Sequence, residues 1–245
     1  MIELPPLHPR CRCVIIYREI ETSVLRSAPK NGKIVTGATN ILQNELAVIS
    51  DNGNRNQYTV AFELMNSKAY HDRFESLTKN KNLNEGLYKE AAKILSHRSG
   101  TEYEDIAMLD SRTGQLLTKN ATAAGAAKFK CGLTQVQYEF LQGLRKEFEI
   151  LHNHPNSTEP STADIISLFK RELATGSTVI GHDGSVYRIE KLKPFDKIEE
   201  LIEKIYVETR SEYYGSPDNI IEMHTTENLI SYLMDKGIIN YKKVT

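Results

Sequence analysis

The chain has 245 residues, with 31 Lys and Arg against 32 Asp and Glu and a formal net charge of −1. This balance argues against nucleic acid as a partner, because nucleic-acid binding scales with the number of phosphates that basic side chains neutralise. No apolar run approaches the roughly 18 residues that a membrane span requires, and the first residues lack the apolar stretch of a secretory signal. Three cysteines are too few for a disulfide framework. We therefore expect a protein of a reducing compartment, such as the cytoplasm, with no membrane partner.

The first part of the chain lacks the hydrophobic pattern of a self-sufficient fold. Pro5, Pro6 and Pro9 stiffen its start, and clusters of Asn, Gly, Ser and Thr recur as far as residue 54. Such clusters are typical of turns and loops. We interpret residues 1–82 as an N-terminal linker region built from extended segments.

A denser hydrophobic pattern begins near residue 83. Apolar residues at helical spacing predict a helix that ends at Ser99 and Gly100, and residues 103–109 follow as a strand. Residues 119–133 are small and polar, which is typical of a loop. Thr134 is placed to cap a second helix. The predicted inner face of that helix consists of Val136, Phe140, Leu141, Leu144 and Phe148.

The next segment carries the signals of a strand followed by a helix. Residues 149–151 form a predicted strand that runs directly into His152. Ser161 has an acid three positions later, and this spacing resembles a helix capping box. We expect the helix that begins there to end at Gly176.

The remaining signals are those of a hairpin and two helices. Two β-branched runs flank a turn at residues 182–185, and we expect His182 in that turn to be exposed. Helical patterns return after Pro194 and again near residue 227. Together the elements predict an α/β (α+β) fold, with a small mixed sheet flanked by helices in residues 83–195. Residues 196–245 are predicted to form a helical C-terminal extension.

One short segment combines two histidines with a carboxylate. His152 and His154 alternate on a predicted strand, so their imidazoles point to the same face, and Pro155 ends that strand. The loop that follows is short enough to bring back Asp164, in the first turn of the next helix. Two imidazoles and one carboxylate are three of the four tetrahedral ligands of zinc, and an open fourth position is typical of catalytic sites. We therefore expect His152, His154 and Asp164 to bind Zn²⁺.

A zinc hydrolase also needs a general base, and three upstream acids are candidates. Zinc lowers the pKa of bound water to about 7, and a nearby carboxylate then accepts the proton. The candidates are Glu102, Glu104 and Asp105. We favour Glu104, which opens the predicted strand, with Glu102 as its rival. Ser161 is placed to donate a hydrogen bond to the oxyanion that develops on an attacked carbonyl.

A Glu on an early strand, the H-N-H-P run at residues 152–155 and a later S-x-x-D together resemble the JAMM (MPN+/JAB) metalloprotease motif, in its RadC-like form. The resemblance covers about residues 83–195. It implies a JAMM/cytidine-deaminase-like core, zinc held by the two histidines and Asp164, Glu104 as base and Ser161 beside the oxyanion. It also implies hydrolysis of peptide or isopeptide bonds in a peptide or protein substrate. One difference is that six residues separate the second histidine from the serine, where the family usually has one more.

A second resemblance is carried by about ten residues near the start of the chain. The run LPPLHPRCRC at residues 4–13 is similar to the closing segment of phage Mu F-type head morphogenesis (minor head) proteins. It implies that residues 1–82 contain the remnant of such a domain, and that the chain is part of a phage or prophage minor head protein. The partners then expected are phage portal and capsid proteins, in the bacterial cytoplasm or in the phage virion.

Two alternatives to the hydrolase remain open. The chain is then either a non-catalytic head morphogenesis component of the virion, or a toxin or effector domain carried by a phage-like particle. A zinc-free protein that co-purifies with portal or capsid proteins would favour the first. Toxicity on expression that Glu104→Gln abolishes would favour the second.

Several other residues have ordinary interpretations. Ser161 and Asp164 also fit a plain capping box worth about 1 kcal/mol, although we expect Asp164 to serve the metal in preference. Near the start of the chain lie three residues of types that bind zinc, His8, Cys11 and Cys13. A fourth ligand for them is not apparent in the sequence. Cys131 is interpreted as a buried thiol. The letters H-N-H do not indicate an HNH nuclease, whose three residues are spread over a ββα unit.

Overall fold

The computed structural model describes residues 56–123 and 125–244. The N-terminal prolines and the His8, Cys11 and Cys13 group therefore lie outside the described residues. The helices are α1 (Phe62–Met65), α2 (Lys68–Glu75), α3 (Lys81–Arg98), α4 (Gln135–Leu144), α5 (Thr162–Phe169), α6 (Ile198–Glu212) and α7 (Asp218–Asp235). The strands are β1 (Asp105–Asp110), β2 (Leu116–Ala121), β3 (Phe148–His154), β4 (Ala174–Gly181), β5 (Val186–Lys191) and β6 (Ile239–Val244).

The strands form one six-stranded mixed sheet in the order β2-β1-β3-β4-β5-β6. Strands β3 and β4 are parallel, and α5 connects them; the other neighbouring strands are antiparallel. The predicted mixed α/β class is therefore confirmed. The strand β3, which carries the two histidines, lies inside the sheet between β1 and β4.

Helices cover both faces of the sheet and create two hydrophobic clusters. On one face, Phe148 and Ile150 of β3 belong to a cluster with residues of α5, α6 and α7. On the other face, Leu151 of β3 belongs to a cluster with residues of α2 and α3. Because side chains alternate along a strand, His152 and His154 lie on the α5 face with Phe148 and Ile150. Strand β3 thus directs both imidazoles towards the helix that carries Asp164.

The packing begins upstream of residue 83. Val60, Tyr70, Phe74 and Leu77 are buried and belong to the same cluster as α3. Ser67 caps α2 by accepting a hydrogen bond from the backbone N–H of Tyr70, in the manner of a standard N-cap. The compact region therefore includes residues on both sides of the boundary predicted between 82 and 83.

Two strands were not predicted, and both lie at edges of the sheet. Residues 119–121, expected in a loop, belong to β2, and the C-terminal extension ends in β6 after its two helices. The burial of β2 and β6 is interrupted by exposed positions. Edge strands commonly carry polar and charged residues because one side faces water. Apolar periodicity is therefore weak in such segments.

Two helix predictions are also corrected. Helix α5 ends at Phe169, whereas Gly176 lies within β4. A Cβ atom there would lie 2.7 Å from the Glu149 carboxylate oxygens, so this glycine permits a close approach within the sheet. The expected inner face of α4 is confirmed only in part: Val136 and Phe140 are 75% and 49% exposed, whereas Leu141 is buried and Leu144 packs against the core. Phe148 is also buried, but it begins strand β3 and does not belong to the helix.

Candidate metal centre

Three side chains meet on the α5 face of the sheet. The Nε2 atoms of His152 and His154 lie 3.1 Å apart. Oδ1 of Asp164 lies 3.1 Å from Nε2 of His152, and Oδ2 lies 3.3 Å from Nε2 of His154. Both histidines are buried, and Asp164 is partly buried. The structure thus brings together the three residues from which the sequence predicts zinc binding.

The capping box of α5 places the carboxylate. Ser161 is the N-cap, and its hydroxyl accepts a hydrogen bond from the backbone N–H of Asp164. Oδ2 of Asp164 in turn accepts hydrogen bonds from the backbone N–H and the hydroxyl of Ser161, at 2.7 and 2.8 Å. Oδ1 is left to face His152. Capping and cation binding were expected to compete for Asp164, but one carboxylate serves both. Its Oδ2 accepts the capping hydrogen bonds and also lies 3.3 Å from Nε2 of His154, and its Oδ1 faces His152.

The spacing of the three side chains fits a tetrahedral ion. Zinc bonds to nitrogen and oxygen are about 2.0–2.2 Å long, so two tetrahedral ligands lie about 3.3–3.5 Å apart. The 3.1 Å between the two Nε2 atoms and the 3.1 Å between Nε2 of His152 and Oδ1 of Asp164 are close to such edges. Within the described residues, His152, His154 and Asp164 form one of two groups with this kind of donor geometry. The other group, His71, Asp72 and Glu75, is more exposed.

The electrostatics of the centre favour a cation. Burial alone would raise the pKa of Asp164, but the charges and hydrogen bonds of His152 and His154 hold it well below its ordinary value. Burial likewise lowers the pKa of His154, yet the hydrogen bond and charge of Asp164 and the charge of Glu104 outweigh it and raise that pKa to about 9. The buried carboxylates thus stabilise positive charge at the point where the imidazoles meet.

Contacts behind the imidazoles distinguish the two histidines. Nδ1 of His154 lies 3.0 Å from the carbonyl oxygen of Thr158 and 3.1 Å from its hydroxyl. In the neutral imidazole that metal binding requires, the proton on Nδ1 therefore has an acceptor, and the Nε2 lone pair is directed at the centre. Nδ1 of His152 is buried and has no hydrogen-bond partner in the part of the chain that the structure describes. Only His154 therefore has its tautomer set by an outer contact.

The two rival glutamates occupy different environments. Glu104 precedes β1 and is buried, with 7% of its surface exposed. Burial raises its pKa, and the positive charges of His154 and His152 offset part of the rise. Glu102 instead forms an ion pair with Lys128 and accepts a hydrogen bond from Tyr58. Of the two carboxylates, Glu104 is thus the one whose pKa the charges of the histidines influence.

Sequence reasoning missed several residues around the centre. The side chain of Cys131 hydrogen-bonds to Glu104, and Thr158 orients His154. The prediction that His182 is exposed is wrong, because only 2% of its surface is accessible and its Nδ1 lies 2.6 Å from the Tyr58 carbonyl oxygen. The hairpin turn is present, but residues near the start of the described chain cover it. No local sequence signal indicates that contact.

No protein-family model matches the chain, and neither a curated protein nor a solved structure is significantly similar to it. Among the described residues, no helix combines the length and apolar character that crossing a membrane requires.

Proposed function

We propose that the chain is a zinc-dependent hydrolase of peptide or isopeptide bonds with a JAMM-like core. The observation that carries this proposal is the convergence of His152, His154 and Asp164 on one point. A buried carboxyl group, Glu104, supports it, because the charges of both histidines influence its pKa. Two neutral imidazoles and a carboxylate are a common ligand set of catalytic zinc. When bound, zinc supplies Lewis acidity and makes a water molecule acidic enough to react near neutral pH.

Glu104 and Ser161 are the candidates for the remaining catalytic roles. Glu104 accepts a proton from the attacking water and passes it to the leaving amine nitrogen. The burial of its carboxyl group supports this role, because a raised pKa brings a carboxyl group closer to the pH at which it must both accept and donate a proton. Ser161 is the candidate donor to the oxyanion, and its hydroxyl would turn from Asp164 to reach it.

The N-terminal run LPPLHPRCRC supports a setting for this activity. We place the hydrolase in a phage or prophage minor head protein, acting on a peptide or protein in the bacterial cytoplasm or the virion. Portal and capsid proteins are its expected partners. A protein that lacks zinc, co-purifies with these partners and is unaffected by Glu104→Gln would support the non-catalytic structural alternative instead.

Metal analysis and hydrolysis assays test the proposal together. Purified protein should contain about one zinc per chain, and His152→Ala or Asp164→Ala should remove it. The matched control is His71→Ala, which alters the other His-containing group and should leave zinc content unchanged. With saturating zinc, Glu104→Gln should lower hydrolysis of labelled casein or of a Lys Nε-linked isopeptide by about 10²- to 10⁴-fold. Zinc retained in both His152→Ala and Asp164→Ala would refute the site.

A further inference from the structure

Asn153 separates the two histidines in sequence, and its side chain lies on the opposite face of β3. The residue is fully buried. Its Oδ1 accepts a hydrogen bond from the backbone N–H of Asp105 at 2.8 Å. Its Nδ2 donates to the carbonyl oxygen of Tyr103 at 3.1 Å. The amide of Asn153 therefore binds the backbone on both sides of Glu104.

These contacts begin where the pairing of β1 with β3 ends. The outermost paired residues of that ladder are Ile106 and His152, so the backbone at residues 103–105 lies beyond it. The Asn153 side chain supplies hydrogen bonds that the ladder does not. The carbonyl of Glu104 itself accepts a hydrogen bond from the Thr122 hydroxyl. The segment carrying Glu104 is thus attached to the strand that carries both histidines.

His182 determines which way round the amide lies. Its Nδ1 faces the carbonyl oxygen of Tyr58 at 2.6 Å and must carry the proton, because a carbonyl oxygen can only accept. In the neutral imidazole Nε2 is then an acceptor, and it lies 3.0 Å from Nδ2 of Asn153. Nδ2 thus donates one hydrogen bond to His182 and one to Tyr103, and Oδ1 accepts one from the backbone N–H of Asp105. Both amide protons and the carbonyl oxygen of the Asn153 side chain therefore have partners of the right kind.

We propose that Asn153 is a positioning residue that sets the place of Glu104 relative to His152 and His154. The H-N-H tripeptide is then one functional unit, with the histidines facing the centre on one side of the strand and the asparagine holding Glu104 from the other. The role of Glu104 as a base rests on the proposed function. The structural link between Asn153 and Glu104 does not depend on catalysis and is tested without it.

Cys131 provides a reporter that needs no metal. Its thiol hydrogen-bonds to Glu104, and a neighbouring carboxylate disfavours the reactive thiolate. In the full-length chain with Cys11→Ser and Cys13→Ser, the rate of iodoacetamide alkylation therefore reports on the position of Glu104. Glu104→Gln should accelerate alkylation, and Asn153→Leu should do so to a similar extent. Combining the two should add no further acceleration.

Zinc affinity, measured by competition with a chelator, supplies a second reading. Loss of Glu104 or of Asn153 should weaken zinc binding by about tenfold, as is typical of residues that support metal ligands. The double variant should again match the single ones, because Asn153 acts through Glu104. Thr178→Val is the matched control: it removes a buried hydroxyl on the neighbouring strand that bonds to Glu149, and it should change neither alkylation nor affinity.

If Asn153→Leu does not fold, the His182→Leu variant is used in its place. This change removes the contact between His182 and the Asn153 amide but keeps the Asn153 hydrogen bonds to Tyr103 and Asp105. Its effects should have the same direction and a smaller size. The proposal would be overturned if the Asn153 or His182 change had equal effects in the parent chain and in the Glu104→Gln variant. An alkylation rate that Glu104→Gln does not alter would also overturn the proposal. A protein that shows the alkylation coupling but neither binds zinc nor hydrolyses substrate would refute the proposed function and leave this inference standing.

Discussion

Oδ1 of Asp164 lies 3.1 Å from Nε2 of His152, while Oδ2 of the same carboxylate accepts two hydrogen bonds from Ser161. One side chain therefore caps helix α5 and closes the candidate metal centre. The helix start and the centre cannot shift independently, because the same carboxylate belongs to both.

Zinc should stabilise the folded protein. A ligand that binds only the folded state at 100 times its Kd adds about 2.7 kcal/mol, which corresponds to a rise in Tm of about 5–10 °C for a domain of this size. Thermal unfolding with and without zinc, followed by circular dichroism, measures the shift. EDTA should reverse it, and His152→Ala should abolish it. A Tm indifferent to zinc would contradict binding at this site.

The two roles of Asp164 should be separable by mutation. Asp164→Asn keeps an oxygen for capping but loses the charge, so zinc affinity should fall at least about 100-fold with little loss of stability. Ser161→Ala should cost about 1 kcal/mol of stability. It should change zinc affinity much less, because the backbone N–H of Ser161 still holds Oδ2. Urea unfolding measures the stability of both variants, and chelator competition measures their zinc affinity. A larger loss of zinc affinity in Ser161→Ala than in Asp164→Asn would contradict this assignment of roles.

The C-terminal strand should influence zinc affinity through the loop before α5. Glu159 in that loop accepts a hydrogen bond from the Tyr241 hydroxyl at 2.8 Å and pairs with Lys243 at 2.5 Å. The preceding residue, Thr158, holds the His154 imidazole. Glu159→Ala should therefore weaken zinc binding by about two- to fivefold, the scale of an exposed ion pair.

The matched control for this prediction is another contact of the same strand. Asn240 donates a hydrogen bond to Glu190 at 2.9 Å, and this pair does not touch the loop. Glu190→Ala should leave the Kd for zinc unchanged. If both variants change the Kd equally, the strand acts through general stability and the loop has no special part.

The buried pair of Glu149 and Arg188 should make stability depend on pH when it is broken. Nε and Nη2 of Arg188 lie 3.0 and 3.2 Å from the two oxygens of Glu149. Burial raises the pKa of Glu149, and Arg188 offsets part of that rise. Arg188→Met removes the offset and leaves a buried carboxylate without its partner, which should cost about 3–5 kcal/mol at pH 7.

The sign of the pH effect follows from linkage. A carboxyl group whose pKa is higher in the folded state destabilises that state only above its unfolded pKa, about 4.3. The stability difference between Arg188→Met and the parent should therefore shrink as the pH falls from 7 to 5. Urea unfolding at both pH values measures it. The double variant Glu149→Gln/Arg188→Met should lose this pH dependence, and an equal loss at both pH values in Arg188→Met would contradict the explanation.

Local sequence patterns determined the parts of the centre that lie within single elements. The spacing of His152 and His154 places both imidazoles on one face of any strand. The Ser161 and Asp164 spacing specifies a capping box at the start of any helix. The hairpin before β5 and the helices after Pro194 were likewise predictable, because turn residues and apolar periodicity are local signals.

Tertiary structure alone decided how those parts meet. The sequence favours Glu104 over Glu102 only because Glu104 opens a predicted strand. The structure shows that Glu104 is buried and that the charges of the histidines influence its pKa, whereas Glu102 forms an ion pair with Lys128. His182 became buried because a distant segment covers its turn. The edge strands β2 and β6 escaped prediction because their partners, rather than their own apolar pattern, make them strands. Contacts between residues far apart in sequence leave no periodic signal, and those contacts set the geometry of the centre.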